Sequence, residues 1–127
     1  MFVLLQHDPP GGPQATGLPA AHWDFLIEIA GQDHLAAWRL LNDPRTGAAE
    51  IPAERLPDHR RRYLDYEGEI SGGRGSVRRI DRGPATVEHF DARTLVAVLA
   101  GSILRGRFEI TPRQDIGDAL VWRRATV

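Results

Sequence analysis

The stretch His22-Trp23-Asp24-Phe25-Leu26-Ile27-Glu28-Ile29 (residues 22–29) alternates strictly between two faces. Trp23, Phe25, Ile27 and Ile29 share one side, and His22, Asp24, Leu26 and Glu28 share the other. A period of two is the mark of a strand, so the aromatic and branched set is predicted to face a core. Gly31-Gln32-Asp33 gives a tight connection into a second strand from His34 to Leu41, and residues 22–41 are predicted to form a hairpin.

On either side of this hairpin the same theme continues at lower contrast. MFVLLQH (1–7) is a short apolar run expected to be a buried strand, and DPPGGPQATGLPAA (8–21), with four Pro and three Gly, is expected to be a loop. Residues 42–57 are also expected to be loop, punctuated by Pro44, Gly47, Pro52 and Pro57. Residues 63–70, 76–82, 85–90, 102–110 and 119–123 read as further strands, while 92–100 fits either a helical turn or a strand. The prediction is an all-β fold, a small antiparallel β-barrel of about eight short strands with at most one short helix. With no repeat and no low-complexity linker, residues 1–127 are expected to form a single domain.

Composition narrows the chemistry. The 127 residues are 42% hydrophobic and 26% charged, as in ordinary globular proteins, and no apolar run is long enough for a membrane-spanning helix. The N-terminus lacks a basic segment and a small-residue cleavage site, so no signal peptide is expected and the default compartment is cytoplasmic. There is no cysteine, which excludes disulfides, thiol nucleophiles and zinc fingers; a metal would need His and carboxylate ligands. All 16 basic residues are arginine, and eight of them lie in residues 55–82 against five acids, while residues 1–54 hold two against seven. Arginine forks match phosphate oxygens, so the middle segment is suited to phosphate.

His22 and Asp24, two apart on a strand, project from one face and can share a ligand. His7, ending the first strand, is the natural third donor, and two His plus one Asp suit Mn²⁺, Zn²⁺ or Fe²⁺ with positions left open. Asp58-His59-Arg60-Arg61-Arg62-Tyr63 places three arginines between a group that titrates near neutrality and a phenol that can donate to an anion. Gly72-Gly73-Arg74-Gly75 fits no nucleotide-binding fingerprint and is expected to be a tight hairpin turn. His34 and His89 are read as having no carboxylate at a matching offset, and as bystanders.

Taken in order, LLQHD (4–8), HWDFLIEI (22–29), AAW (36–38), PDHRRRYLDYEGEI (57–70), GGRGSV (72–77), FEITPR (108–113) and LVWRR (120–124) resemble the 3′-phosphoesterase domain of bacterial DNA ligase D, which also occurs as a stand-alone protein. The resemblance implies a small β-barrel with a groove-like active site and a metal, typically Mn²⁺, held by His7, His22 and Asp24. It implies that His59 and Tyr63 contact the scissile phosphate. It also implies removal of a terminal 3′-ribonucleoside and then of the 3′-phosphate from DNA or DNA–RNA strand ends, for a separately encoded ligase or polymerase. Two positions depart from the family pattern, Leu26 where an Arg is usual and Asn42 where a Lys is usual, and an N-terminal arm and a shorter loop before His22 are expected but not matched. Arg39, Arg60, Arg61 and Arg62 are the expected replacements as phosphate-binding groups, with Arg45 or Arg55 standing in for a further Arg. The competing expectation is a non-catalytic barrel that binds metal and phosphate as partner of a ligase, or a phosphoesterase whose substrate is not DNA.

Overall fold

The computed structural model of the chain describes residues 1–10, 21–70, 72–113, 117 and 119–125. Most of the loop expected over residues 8–21 lies outside them. Ten strands follow one another: β1 (Phe2–Asp8), β2 (His22–Glu28), β3 (Leu35–Leu40), β4 (Glu50–His59), β5 (Gly68–Glu69), β6 (Ser76–Gly83), β7 (Ala85–Phe90), β8 (Leu95–Ala100), β9 (Arg105–Pro112) and β10 (Leu120–Arg124). The only helical pieces among the described residues are 3-10 turns at Pro44–Thr46 and Arg61–Leu64, and none is long and apolar enough to cross a membrane.

All pairings are antiparallel, in one sheet of order β5-β6-β1-β2-β3-β4-β10-β9-β8-β7. The expected all-β antiparallel architecture is therefore present, with ten strands and an open ladder. The sheet curls strongly. Phe25 on β2 and Trp122 on β10 lie three strands apart along the ladder, yet their ring centroids are 5.0 Å apart. That is about one strand spacing where a flat sheet would give three or four. The concave face buries Phe2, Leu4, Phe25, Ile27, Trp38, Phe108 and Trp122 with their neighbours.

Alternation sends the remaining side chains of β1, β2 and β3 outward. Val3, Leu5, Leu26, Leu35 and Ala37 form a second, smaller core, closed by Leu64 of the second 3-10 turn, by Val77, and by Leu56, Tyr63, Tyr66 and Ile70 packed against it. His7, His22 and Asp24 continue this outer face by parity, so the polar cluster sits at the end of a covered apolar patch.

Two expectations need correction, and one left open is decided. Residues 50–57, in the stretch expected to be loop, belong to the strand β4, because Pro52 and Pro57 mask an alternation in which Ile51 and Ala53 are buried and Glu50, Pro52 and Glu54 are exposed. Pro52 contributes through its carbonyl, which accepts from Leu41 N–H at 3.0 Å. Residues 63–70, read as one strand, are a 3-10 turn followed by the two-residue β5. Residues 92–100, which fit either a helical turn or a strand, hold the strand β8 from Leu95 to Ala100, with Leu95, Ala97 and Leu99 on the core side.

Candidate metal centre and arginine-lined groove

Strand register assembles the cluster. His7 is paired directly with His22, and Leu5 with Asp24, so β1 and β2 bring the three side chains to one spot. His22 Nε2 lies 3.3 Å from Asp24 Oδ1 and His7 Nδ1 lies 3.6 Å from Asp24 Oδ2. One donor atom from each residue falls within 4.8 Å of the others. The imidazole rings meet edge to face at 4.6 Å.

The polar atoms of this cluster are short of partners. His22 Nε2 and Asp24 Oδ1 are buried and make no hydrogen bond, in spite of their proximity. His7 Nε2 is paired with the Arg74 carbonyl at 2.8 Å. A carbonyl can only accept, so Nε2 carries the proton and the bare Nδ1 is left facing Asp24. Lone pairs converging on a 5% exposed carboxylate are stabilised by a cation, either a metal or an extra proton. Burial pushes the Asp24 carboxyl up, but His22 and His7 outweigh it and bring it down to about 2. The Asp24 carboxylate likewise raises His7, against burial. Two imidazoles and an ionised carboxylate form a donor set that fits a divalent first-row ion.

Beyond the cluster opens a groove of about 550 Å³, lined by His7, Asp24, Asp58, His59, Arg60, Arg62, Tyr63, Tyr66, Glu69 and Arg74 over an apolar floor of Leu5, Ile70 and Val77. β4 reaches it through a bulge: Ala37 pairs with Leu56 but Leu35 with His59, which places an extra residue at Pro57–Asp58 and re-aims His59. His59 Nδ1 donates to the Pro57 carbonyl at 2.8 Å, leaving Nε2 as the nitrogen available to a ligand. The His59 and Tyr63 rings stand edge to face at 5.8 Å. Tyr63 and Tyr66 in turn carry the Arg62 guanidinium, 5.4 and 4.8 Å from their ring centres.

The structure thus brings seven of the expected residues to one face: His7, His22, Asp24, His59, Tyr63, Arg60 and Arg62. It does not bring Arg61 there, because Arg61 is ion-paired with Glu28. Arg39 lies across the ladder from Asp24, close enough to work against the rise of His7, and its Nε is buried without a hydrogen bond. The other two arginines considered are taken up locally. Arg55 stacks 4.7 Å over Trp38 and bonds the Ala37 carbonyl, and Arg45 pairs with Asp43 at 2.7 Å. Leu26 is fully buried in the second core, so no charge at that position faces the groove. His34 is exposed, and His89 does have a carboxylate at the i+2 offset, contrary to the sequence reading: Nε2 meets Asp91 Oδ2 at 2.7 Å. That pair is exposed, with His89 on β7 and Asp91 just beyond its end, and neither residue lines the groove. Sequence reasoning passed over Asp58, Tyr66 and Glu69 as groove residues, and over Arg74, for which the three-glycine turn was the available signal.

Fold and site define a class: an antiparallel β protein with a two-histidine, one-carboxylate cluster opening onto a groove lined by arginines and carboxylates. The family model of the DNA ligase D 3′-phosphoesterase domain matches residues 14–112, and the chain belongs to that family. The activity indicated is that of a 3′-phosphoesterase of the DNA ligase D type. His7 precedes the matched residues, so its place in the cluster rests on the pairing of β1 with β2. None of the curated proteins matches the chain.

Proposed function

We propose that the chain, acting as one domain, is a divalent-metal-dependent phosphoesterase that resects 3′ ends of DNA or DNA–RNA primer strands. It would remove a terminal ribonucleoside and then the 3′-phosphate, leaving a 3′-OH for a separately encoded ligase or polymerase. The observation that carries this reading is the composition of the groove: His7 and Asp24 line it together with His59, Tyr63, Arg60 and Arg62. Arg60 and Arg62 have no carboxylate partner among the described residues, whereas Arg39, Arg45, Arg55, Arg61, Arg78, Arg79, Arg82, Arg107 and Arg123 each lie within 4.0 Å of one. Guanidinium groups left unneutralised beside a metal-type donor set favour a phosphate.

His7, His22 and Asp24 would hold Mn²⁺, with Zn²⁺ the other ion the donors suit, and when bound the cation supplies Lewis-acid polarisation of a phosphate oxygen. The chain's own groups do the rest. Water adds to phosphorus as the bond to the leaving oxygen breaks, first the nucleoside 5′ oxygen and then the strand 3′ oxygen, and each leaving oxygen takes up a proton. His59 Nε2, left bare by the Nδ1–H bond to the Pro57 carbonyl, would take the proton from the attacking water and pass it to the leaving oxygen. Tyr63 donates to a nonbridging oxygen, Arg60 and Arg62 bind the strand phosphates, and Arg39 supplies beside Asp24 the cation that Leu26 does not.

The test is a primer-end assay with Mn²⁺, using strands ending in one ribonucleotide or in a 3′-phosphate. The native protein should yield 3′-OH ends and His22→Ala should not. Failure of the native protein on both substrates, with Mn²⁺ bound, would overturn the enzyme reading. A second prediction concerns the arginines. Arg60→Gln and Arg62→Gln should each raise KM by about 10–100-fold, the worth of one charge-assisted hydrogen bond, and flatten the salt dependence by about one unit of slope. Arg61→Gln should change neither, because its partner is Glu28. Unchanged salt slopes for both groove variants would point to a small, non-polymeric substrate.

A further inference from the structure

An imidazole offers a metal only one nitrogen, and the hydrogen bond made by the other decides which. The two histidines of the cluster make opposite choices: His22 turns Nε2 toward Asp24, and His7 turns Nδ1. For His7 the choice is imposed from outside the cluster, by the Arg74 carbonyl at 2.8 Å from Nε2. That carbonyl belongs to the glycine turn between β5 and β6.

The turn is seated by close approach, and only one of its glycines makes that approach. A Cβ at Gly75 would fall 2.0 Å from the Asp8 carbonyl oxygen and 3.1 Å from the Asp8 carbon, on the residue that follows His7. Gly75 also has φ +93°, a conformation few side chains tolerate. Its carbonyl accepts from Ile70 N–H at 2.8 Å, and Gly68 and Glu69 pair with Val77 and Ser76, so the loop is tied at its base. Gly72 and Gly73 also have positive φ, 79° and 67°, but no backbone lies within 4 Å of a Cβ at either. They shape the turn, and Gly75 docks it on β1. The atom the turn presents to the site is an acceptor, so it works on the metal side of the chemistry and not as a cradle of N–H groups for phosphate.

We propose that the turn Gly72–Gly75 is a positioning element for His7, docked through Gly75 so that the Arg74 carbonyl fixes the proton on Nε2 and keeps Nδ1 bare for the cation. This rests on the metal reading of the cluster. Neither Arg74 nor Gly75 is placed as a ligand; both act through the His7 ring.

The first measurement is the histidine tautomer, read by long-range ¹H–¹⁵N correlation in metal-free protein at about pH 9, where imidazoles are neutral. His7 should be the Nε2–H form. In Gly75→Ala that preference should be lost, and affinity for Mn²⁺ alone, followed by electron paramagnetic resonance, should fall by about 10–100-fold, the usual cost of losing an outer partner of a ligating histidine. Gly73→Ala, which strains the turn without a clash, should weaken Mn²⁺ by less than about threefold, since the Gly75 contact and the Arg74 carbonyl stay in place. An Nδ1–H form of His7 in the native protein would overturn the proposal even if Gly75→Ala proved unable to fold. A folded Gly75→Ala with native tautomer and native affinity would overturn it too. Failure of the native protein to bind Mn²⁺, with His7 still in the Nε2–H form, would instead strike the metal reading and leave the positioning of the ring established.

Discussion

Asp24→Asn is expected to lower Mn²⁺ affinity by more than about 100-fold, because losing only an outer partner of a metal ligand already costs about 10–100-fold. Asp24 is also the one anionic member of the cluster. The fold should survive, since Asn has the same shape and the position carries no packing role that needs charge. Metal-free stability should change in a pH-dependent way whose sign follows from the two titrations. His7 is raised above its ordinary 6.5 by Asp24, so the pair stabilises the fold fully below 6.5 and loses that contribution as pH rises through the raised value. The Asp24 carboxyl, brought from 3.8 to about 2, keeps its share above 3.8 and loses it as pH falls through about 2. The substitution should therefore destabilise metal-free protein between these limits and do so much less in alkaline solution. Native Mn²⁺ affinity should in turn fall on acidification through the raised His7 value, because the cation and the proton compete for Nδ1. Mn²⁺ titrations and metal-free melts on either side of neutrality check both statements. An Asn variant that binds Mn²⁺ as the native protein does would remove Asp24 from the ligand set.

How much of this was legible in the sequence depended on whether backbone or side chain carried the signal. The alternation at 22–29 placed His22 and Asp24 on one face without ambiguity, because a strand has no other way to arrange residues two apart. His7 was legible for the same reason, once β1 was read as a strand ending there. β4 was not, because Pro52 and Pro57 look like loop punctuation, and the bulge that aims His59 occupies one of them. The arginine run is a case of true ambiguity. Residues 60–62 are chemically identical, and only the 3-10 turn decides that Arg61 leaves toward Glu28 while Arg60 and Arg62 stay with the groove. Arg39 shows the converse: its distance from Asp24 is set by cross-strand register, which the hairpin prediction contained in principle.

Asp81→Ala is expected to cost about 3–5 kcal/mol of stability, with a fall in Tm on the order of 10–20 °C. β6 is bulged opposite β1: Leu5 pairs with Arg79 but Leu4 with Asp81, so the extra residue Ile80 turns Asp81 from the groove face into the concave face. There it is 4% exposed and serves as acceptor for the turn that joins β8 to β9. Oδ1 accepts from Arg82 and Ser102 N–H at 2.9 Å each, and Oδ2 accepts from Ile103 at 3.0 Å and Leu104 at 2.7 Å. A charge-assisted bond is worth about 1.5–3 kcal/mol, but the total falls short of four such bonds because water can reach the exposed Ser102 and Ile103. It cannot easily reach Leu104, which is 3% exposed, so at least that donor is left bare. Asn should not rescue, since its NH₂ would face two donors where an oxygen now accepts. Nor is there room for movement on the other side, where a Cβ at Gly101 would meet Asp81 Oδ2 at 2.3 Å and Phe2 Cζ at 2.7 Å. Thermal and denaturant unfolding of the Ala and Asn variants decides the matter: a loss under about 1 kcal/mol, or native stability in Asn, would show that the carboxylate does not hold this turn. Because Asp81 faces the concave core and the metal cluster faces outward, the folded fraction of either variant should bind Mn²⁺ with native affinity, which separates this structural carboxylate from Asp24.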